Sequence, residues 1–265
     1  MKIAYRISEL VPYINWVYYF FAWQVKDEKE KQRLQLEALA KLAELEDDYQ
    51  VYGVFELFDA HSEDDDIVIC REGRNAASGV RRIPCLRQQQ GLPPYLCLAD
   101  FISLHSDKIG LFATTVDIGL ETDFDDDVYQ KMLTQLLADR LAEAAAERLH
   151  EQVRKEIWGY AKDEQLSIAD MLIERFEGIR PAVGYPSLPD TSINFLLDEI
   201  LDMKQIGIRL TESGAMKPHA SVSGMMIANP QARYFSIGKI GEDQLQDYAC
   251  RRGLPVEVVR KFVTL

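Results

Sequence analysis

The stretch Asp125–Tyr160, DDDVYQKMLTQLLADRLAEAAAERLHEQVRKEIWGY, decides the fold because it predicts a single long helix. Three Asp residues open it, where their charge suits the positive end of a helix dipole, and Gly159 follows its end. Apolar residues recur along it at helical spacing, at Val128, Met132, Leu136, Leu137, Leu141, Ala144, Leu149 and Val153. We therefore predict an amphipathic helix over residues 125–160, whose apolar face the rest of the chain must cover.

The N-terminal region predicts a second helix and a partner for it. Residues 26–48 contain neither Gly nor Pro and carry Leu at mostly helical spacing, which predicts an amphipathic helix. Residues 9–25 are rich in Tyr, Trp and Phe, a density that favours a buried segment beneath this helix.

The remaining segments predict a sheet and several short helices. Strands are predicted at residues 51–55 and 67–69, joined by an acidic turn at 59–66, and at 109–116, 222–227 and 234–240. Helices are predicted at residues 167–178, with a capping box at Ser167, and at 192–207, 244–253 and 256–264. Because helices and strands do not alternate regularly, we predict a single α+β domain over residues 1–265.

Composition excludes several classes of function. The chain has 265 residues with 30 basic and 43 acidic side chains, a net charge of -13, which argues against nucleic acid and anionic membranes as partners. Its four Cys lack CxxC spacing, so we expect no metal site and mostly buried, reduced thiols. No secretion signal or apolar run of about 20 residues is present, so we expect a cytoplasmic protein.

The segment Gly178–Asp190, GIRPAVGYPSLPD, is the most unusual stretch of the chain. Its three Pro and two Gly predict a stiff, extended loop, as a preorganised ligand cradle requires. Arg180 offers a planar fork for a carboxylate, and Tyr185 offers a ring that stacks on a base or fills a core. From these residues alone, a structural connector with a solvated Arg remains open. The small residues of Leu210–Gly224 likewise fit either a close approach to a ligand or the end of a glycine-rich hairpin.

The Gly178–Asp190 segment resembles the RPAxGYPxxPxH loop of the activation (reactivation) domain of cobalamin-dependent methionine synthases. Further matching segments run through roughly residues 9–260; they include YINW at 13–16, LRQQ at 86–89, CLADF at 97–101, LADRLAEA at 137–144, WGYA at 158–161 and LTES at 210–213. This resemblance implies a C-shaped α+β domain with a twisted antiparallel sheet flanked by helices.

The resemblance also implies a function. Such a domain binds S-adenosylmethionine (AdoMet), docks on a cobalamin-binding partner and supports reductive methylation of cob(II)alamin, with an electron from a flavodoxin-like donor. Because the chain begins at Met1 and lacks the cobalamin, zinc and folate motifs of the complete enzyme, we expect a stand-alone reactivation protein. It would be one component of a methyltransferase, with no catalytic residue of its own.

Residue by residue, the resemblance implies an AdoMet site. Arg180 would bind the AdoMet carboxylate, and the other ligand-binding positions would be Ala182, Gly184, Tyr185, Glu174, Tyr234, Asn15 and Thr191. Glu143 and Arg140 would face the ligand or the cobalamin partner. Two positions depart from the family pattern, since Asn15 replaces an Asp that meets the AdoMet ammonium and Thr191 replaces a His.

These departures keep a second hypothesis open. In it the chain is a non-catalytic docking or assembly module for a corrinoid protein, with a drifted AdoMet site. A third hypothesis, an independent methyltransferase with a small-molecule acceptor, is disfavoured because we expect neither loop to supply a general base.

Overall fold

The computed structural model describes residues 1–70 and 79–263. Its strands are β1 (Lys2–Tyr5), β2 (Val51–Glu63), β3 (Asp66–Cys70), β4 (Val80–Pro84), β5 (Asp107–Val116), β6 (Arg209–Leu210), β7 (Met216–Lys217) and β8 (Ser221–Met226). Its α-helices are α1 (Ile7–Leu10), α2 (Trp16–Ala22), α3 (Glu28–Leu45), α4 (Gly119–Thr122), α5 (Val128–Gln152), α6 (Ile168–Leu172), α7 (Ile193–Leu201), α8 (Glu242–Arg252) and α9 (Val256–Phe262).

Strand β2 organises a six-stranded antiparallel sheet with the order β4-β3-β2-β5-β8. Its first half pairs with β1 and its second half with β3 along one edge, while β5 pairs with residues 51–60 along the other. Strand β8 continues the sheet beyond β5. The antiparallel sheet flanked by helices confirms the predicted α+β class.

Helix α5 packs on one face of the sheet at close range. Small residues on its inner face, Ala142 and Ala144–Ala146, are buried and leave room for the strands. The Thr114 hydroxyl of β5 donates to the Ala142 carbonyl oxygen at 2.9 Å, which fixes the helix on the sheet. Helices α1, α2 and α3 complete this layer around the Leu residues of α5.

The opposite face of the sheet is covered by shorter elements. Helix α7 packs on β2, β5 and β8, and the 3₁₀ turns at 98–101 and 203–206 pack on β2. Helices α8 and α9 form a third apolar cluster with Leu86. Within the described ranges, no helix has the length and apolar character needed to cross a membrane.

The long helix is shorter than predicted at both ends. It begins at Val128 because Asp127, rather than Asp125, caps it by accepting from the backbone N–H of Tyr129 and Gln130. After Gln152 the chain continues as a π-helical turn at Val153–Ile157. The helix predicted at 26–48 is present as α3, which is two residues shorter at its start and three at its end.

Several other predictions of local structure were wrong. The helix predicted at 192–207 ends at Leu201, because Asp202 takes a left-handed conformation with a φ of 50°. The helix predicted at 167–178 stops at Leu172, although Ser167 caps it as expected. Strand β2 runs to Glu63, through most of the predicted turn. Residues 234–240 form no strand.

Two predictions of burial hold only in part. The α2 side chains of Val17, Tyr18 and Phe21 are exposed, because this helix of about two turns buries only the face that packs on the rest of the domain. Cys85 and Cys97 are buried free thiols, whereas Cys70 and Cys250 are exposed.

Candidate functional site

The Gly178–Asp190 loop lies against the outer edge of β8 and extends the sheet. Ile179 and Ile227 exchange backbone hydrogen bonds of 2.9 and 3.0 Å. Farther along, the Val183 N–H donates to the Ser223 carbonyl oxygen at 2.9 Å, and the Met225 N–H donates to the Pro181 carbonyl oxygen at 3.0 Å. The predicted stiff, extended loop is therefore held as an edge strand, in a fixed position relative to the core.

Two glycines permit this close pairing. A methyl group at Gly224 would lie 2.2 Å from the Pro181 carbonyl oxygen, and one at Gly178 would lie 2.3 Å from the Ile227 carbonyl oxygen. Gly178 also has a φ of +82°, in the left-handed region that favours glycine. Only glycine fits both positions without moving backbone.

A cavity of about 260 Å³ opens between helix α5, this loop and the segment that leads into β8. Helix α5 contributes Asp139, Arg140, Ala142 and Glu143 to its wall, the loop contributes Ala182, Val183 and Tyr185, and the third wall consists of Met216 and His219–Ser223. The cavity thus has a charged wall, a wall formed by the extended loop and a wall that combines Ser and His side chains with apolar ones.

Arg180 lies beside this cavity and is bound to α5. Its Nη1 donates to the Ala146 carbonyl oxygen at 3.0 Å and to Glu147 Oε2 at 3.2 Å, and its Nη2 donates to Glu147 Oε1. The Arg180 side chain is only 12% exposed. Burial alone would lower the pKa of its guanidinium, but the adjacent Glu147 carboxylate raises that pKa above its ordinary value, so Arg180 is a fixed cation.

Tyr234 and Glu174 complete the surroundings of Arg180. The Tyr234 hydroxyl accepts from the Arg180 backbone N–H at 2.9 Å, which ties the loop to the segment after β8. Glu174 has a φ of 60°, and partial desolvation raises the pKa of its carboxyl group. Arg180 and Glu174 are close enough for each to shift the pKa of the other: the guanidinium lowers the pKa of the Glu174 carboxyl, and the carboxylate raises the pKa of Arg180.

Carboxylates outnumber cations at the site. Asp139, Glu143 and Glu147 follow one another at intervals of four residues and so share one face of α5. Burial raises the pKa of Asp139 and of Glu143, although Arg140 opposes this in both cases. Arg140 also donates to Glu143 at 2.8 Å. With Glu174, four carboxylates face the two guanidinium groups of Arg140 and Arg180.

Two of the residues expected from the sequence lie away from the cavity wall. Asn15 caps α2, with its Oδ1 accepting from the Val17 N–H at 3.2 Å. The Thr191 hydroxyl donates to the Phe262 carbonyl oxygen at 3.3 Å. Thr191 nevertheless lies beside the loop, because its methyl group is 3.6 Å from the point where a Cβ at Gly184 would stand.

The other expected residues lie together. Ala182, Tyr185, Arg140 and Glu143 line the cavity, and Gly184 lies between the lining residues Val183 and Tyr185. Arg180, Glu174 and Tyr234 form the adjoining polar cluster. Sequence reasoning missed Glu147, Asp139 and His219. The four-residue spacing of the α5 acids was the signal for the first two, but the same spacing is typical of a solvated helix face.

Comparison with known proteins assigns the family. The family model for the activation domain of vitamin B12-dependent methionine synthase matches residues 6–253. The chain belongs to this activation-domain family. A crystal structure of the MetH reactivation domain bound to AdoHcy is also similar, with a TM-score of 0.92 and 37% sequence identity. That match covers 99% of this activation-domain chain and 88% of the other chain.

Membership of the activation-domain family confirms the resemblance predicted from the sequence. The similar crystal structure confirms the predicted fold across nearly the whole chain. The cavity beside α5 is therefore a cavity of an activation domain.

Proposed function

We propose that this chain binds AdoMet at the cavity beside α5 and presents it to the cobalamin of a separate protein. That partner would be a cobalamin-binding methionine synthase or a related corrinoid protein, and a flavodoxin-like protein would supply the electron for reductive methylation. The chain then acts as one cytoplasmic component of a methyltransferase.

The observation that carries this proposal is the state of Arg180. A buried guanidinium is fixed beside a cavity, and Glu147 and Ala146 engage only its Nη atoms. In the part of the chain that the structure describes, no acceptor bonds to its Nε–H. Such a group recognises a carboxylate through paired N–H donors, and AdoMet carries one on its amino-acid end.

The charge of the site supports a cationic ligand. Four carboxylates against two guanidinium groups leave an excess of two negative charges. AdoMet carries a sulfonium, an ammonium and a carboxylate, so its net charge is positive. AdoHcy, which is bound in the similar crystal structure, is AdoMet without its transferable methyl group and keeps the same carboxylate, ammonium and nucleoside.

The chain's own residues would bind and orient the ligand. Arg180 would hold the amino-acid end, while the backbone of the Ala182–Tyr185 segment and the cavity wall would hold the nucleoside. No general base is required, because the sulfonium already carries an activated methyl group. When the partner is docked, its cobalamin supplies the methyl acceptor.

One observation favours the alternative, in which the chain is a docking or assembly module with a drifted AdoMet site. Asn15 is engaged in capping α2, lies outside the cavity wall and carries no charge for an ammonium. Under this alternative the chain would bind a corrinoid protein and leave AdoMet unbound.

Calorimetric titration of AdoMet into the purified chain separates the two. We expect saturable binding that Arg180→Ala abolishes. Arg175→Ala is the matched control, because Arg175 lies five residues away, pairs with Asp170 at 2.6 Å and is 65% exposed. Absence of binding at millimolar AdoMet would refute the proposal and favour the docking module. A methyl-transfer assay with a reduced corrinoid protein then tests the later step.

A further inference from the structure

Arg180 uses one edge of its guanidinium group for helix α5. A guanidinium offers an end-on fork, made by Nη1 and Nη2, and a side-on fork, made by Nε and Nη2. Glu147 accepts from both Nη atoms, one bond to each carboxylate oxygen, and so takes the end-on fork. The Ala146 carbonyl oxygen takes the remaining Nη1 proton.

The side-on fork has no partner in residues 1–70 and 79–263. Neither the Nε–H nor the second Nη2 proton has an acceptor there. The Tyr234 hydroxyl accepts from the backbone N–H of Arg180 and leaves the guanidinium untouched. One complete carboxylate-binding edge therefore remains available.

The partners of the end-on fork lie on a rigid element. Ala146 and Glu147 are consecutive residues of α5, and Ala146 is 1% exposed. A carbonyl and a carboxylate from one helical turn fix both the position and the plane of the guanidinium. Groups that are held in this way lose little further freedom when a ligand binds.

We propose that Glu147 is the positioning residue that aims the side-on fork of Arg180 at the ligand carboxylate. The inference rests on the proposed AdoMet site. Glu147 stays bonded to Arg180 when the ligand is present, so one guanidinium bridges two carboxylates. The amino-acid end of the ligand then binds without breaking an existing ion pair.

The opposite arrangement, in which the ligand displaces Glu147, is unfavourable on charge grounds. The Glu147 side chain is 17% exposed and lies near Glu143, and both belong to the group of four site carboxylates. Displacement would leave Glu147 without its cation in surroundings that already carry excess negative charge. A half-buried carboxylate that loses its partner is costly.

The test compares two ligands with Glu147→Gln. AdoHcy carries the amino-acid end, whereas 5′-methylthioadenosine lacks both its carboxylate and its ammonium. We expect Glu147→Gln to weaken AdoHcy binding by about tenfold, the loss typical of a charged hydrogen-bonded contact. Binding of 5′-methylthioadenosine should stay within about twofold of the unmodified chain, because Glu147 acts only through Arg180.

Matched variants separate positioning from general structure. Glu151→Gln is the control, since Glu151 lies one turn further along α5, is 14% exposed and pairs with Arg148 at 3.0 Å. We expect it to leave both affinities unchanged. Glu147→Asp, whose shorter side chain breaks the two-bond contact but keeps the charge, should weaken AdoHcy alone and serves as the second variant if Glu147→Gln fails to fold.

The outcomes divide clearly. If both Glu147 variants bind AdoHcy as tightly as the unmodified chain, or more tightly, the inference is overturned. Tighter binding would show that the ligand competes with Glu147 for Arg180. Equal weakening of both ligands would also overturn it, because the effect would then be structural. Failure of the unmodified chain to bind AdoHcy would refute the proposed function itself, which the Glu147 variants alone do not test.

Discussion

Replacing Gly224 by Ala should separate the ligand loop from the sheet. The added methyl group would lie 2.2 Å from the Pro181 carbonyl oxygen and 2.9 Å from the Ala182 α-carbon, and both of these atoms belong to the backbone. Real contacts of this kind are essentially never shorter than 3.0 Å, so the Pro181 oxygen must retreat by about 0.8 Å. Rotation of a side chain cannot relieve the clash.

The retreat breaks the pairing that builds the site. The Met225 N–H bonds to the Pro181 oxygen at 3.0 Å, and a retreat directed away from Met225 would stretch this contact to as much as about 3.8 Å, beyond hydrogen-bond length. Overpacking costs about 1–3 kcal/mol, and the loss of glycine entropy in the unfolded chain offsets about 0.4–1 kcal/mol of it. We expect a net loss of about 1–2 kcal/mol in the free energy of unfolding.

The binding effect should exceed the effect on stability. A shift of this size exceeds the tolerance of about 0.5 Å within which a binding site must be held, so AdoHcy affinity should fall by at least about tenfold. Urea unfolding followed by circular dichroism measures stability, and calorimetry measures affinity. Gly53→Ala is the matched control in β2, because its methyl group would meet only side-chain atoms, at 3.5 Å and beyond. Equal behaviour of the two variants in both assays would refute the reasoning.

Two further predictions concern pH. Burial, followed by the charges of Arg180 and Arg154, holds the pKa of His150 well below its usual range, so the folded state keeps this side chain neutral while the unfolded state protonates near pH 6.5. The free energy of unfolding should therefore fall as the pH drops below about 6.5, by at most about 1.4 kcal/mol per pH unit from this group. In urea unfolding, His150→Gln should remove that part of the pH dependence. An unchanged dependence on pH would contradict the role given to His150. Burial raises the pKa of Asp139 and Glu143, so a cationic ligand should displace protons from them as the pH falls through their raised pKa values. AdoMet affinity should then rise with pH. Calorimetry in buffers of different ionisation enthalpy, repeated over a series of acidic pH values, should detect proton release, and its absence throughout the series would place the sulfonium away from these carboxylates.

The sequence predicted the long elements better than their ends. The helical spacing of apolar residues and the composition identify α5. Each of the three consecutive Asp residues before it could serve as the N-cap, however, and only the packed structure shows that Asp127 does so. The end of α5 is equally hidden, because the chain leaves the helix through a π-helical turn in which the Val153 carbonyl oxygen accepts from the N–H groups of Trp158 and Gly159, at 3.0 and 3.1 Å. No residue type signals such a bond in advance.

Residues 234–240 show why alternation alone is insufficient. Their pattern is typical of a strand, yet a strand needs an open edge. The outer edge of β8 is already paired with the loop residues 179–183, so this segment contacts the loop by other means. The Tyr234 hydroxyl accepts from Arg180, and the Ile237 N–H donates to the Pro186 carbonyl oxygen at 2.9 Å. The prediction failed because the competitor for that edge lies far away in the sequence.

The same edge explains why the loop residues could be predicted and Glu147 could not. An unpaired strand edge can pair with another chain, and the loop covers the edge of β8 by pairing with it. Pro and Gly suit that task, since Pro181 needs no donor there and Gly224 admits the loop backbone at close range. These constraints leave a visible signature in the sequence of Gly178–Asp190.

The position of Glu147 is under no such constraint, because any helix-forming residue would fit its place in α5. The role of Glu147 depends on the position of Arg180 opposite it. That position follows from the pairing of the loop with β8 and not from the sequence around Glu147. The fold and the site are therefore joined at this edge, and a change that loosens the pairing at β8 should disturb Arg180 before it unfolds the domain.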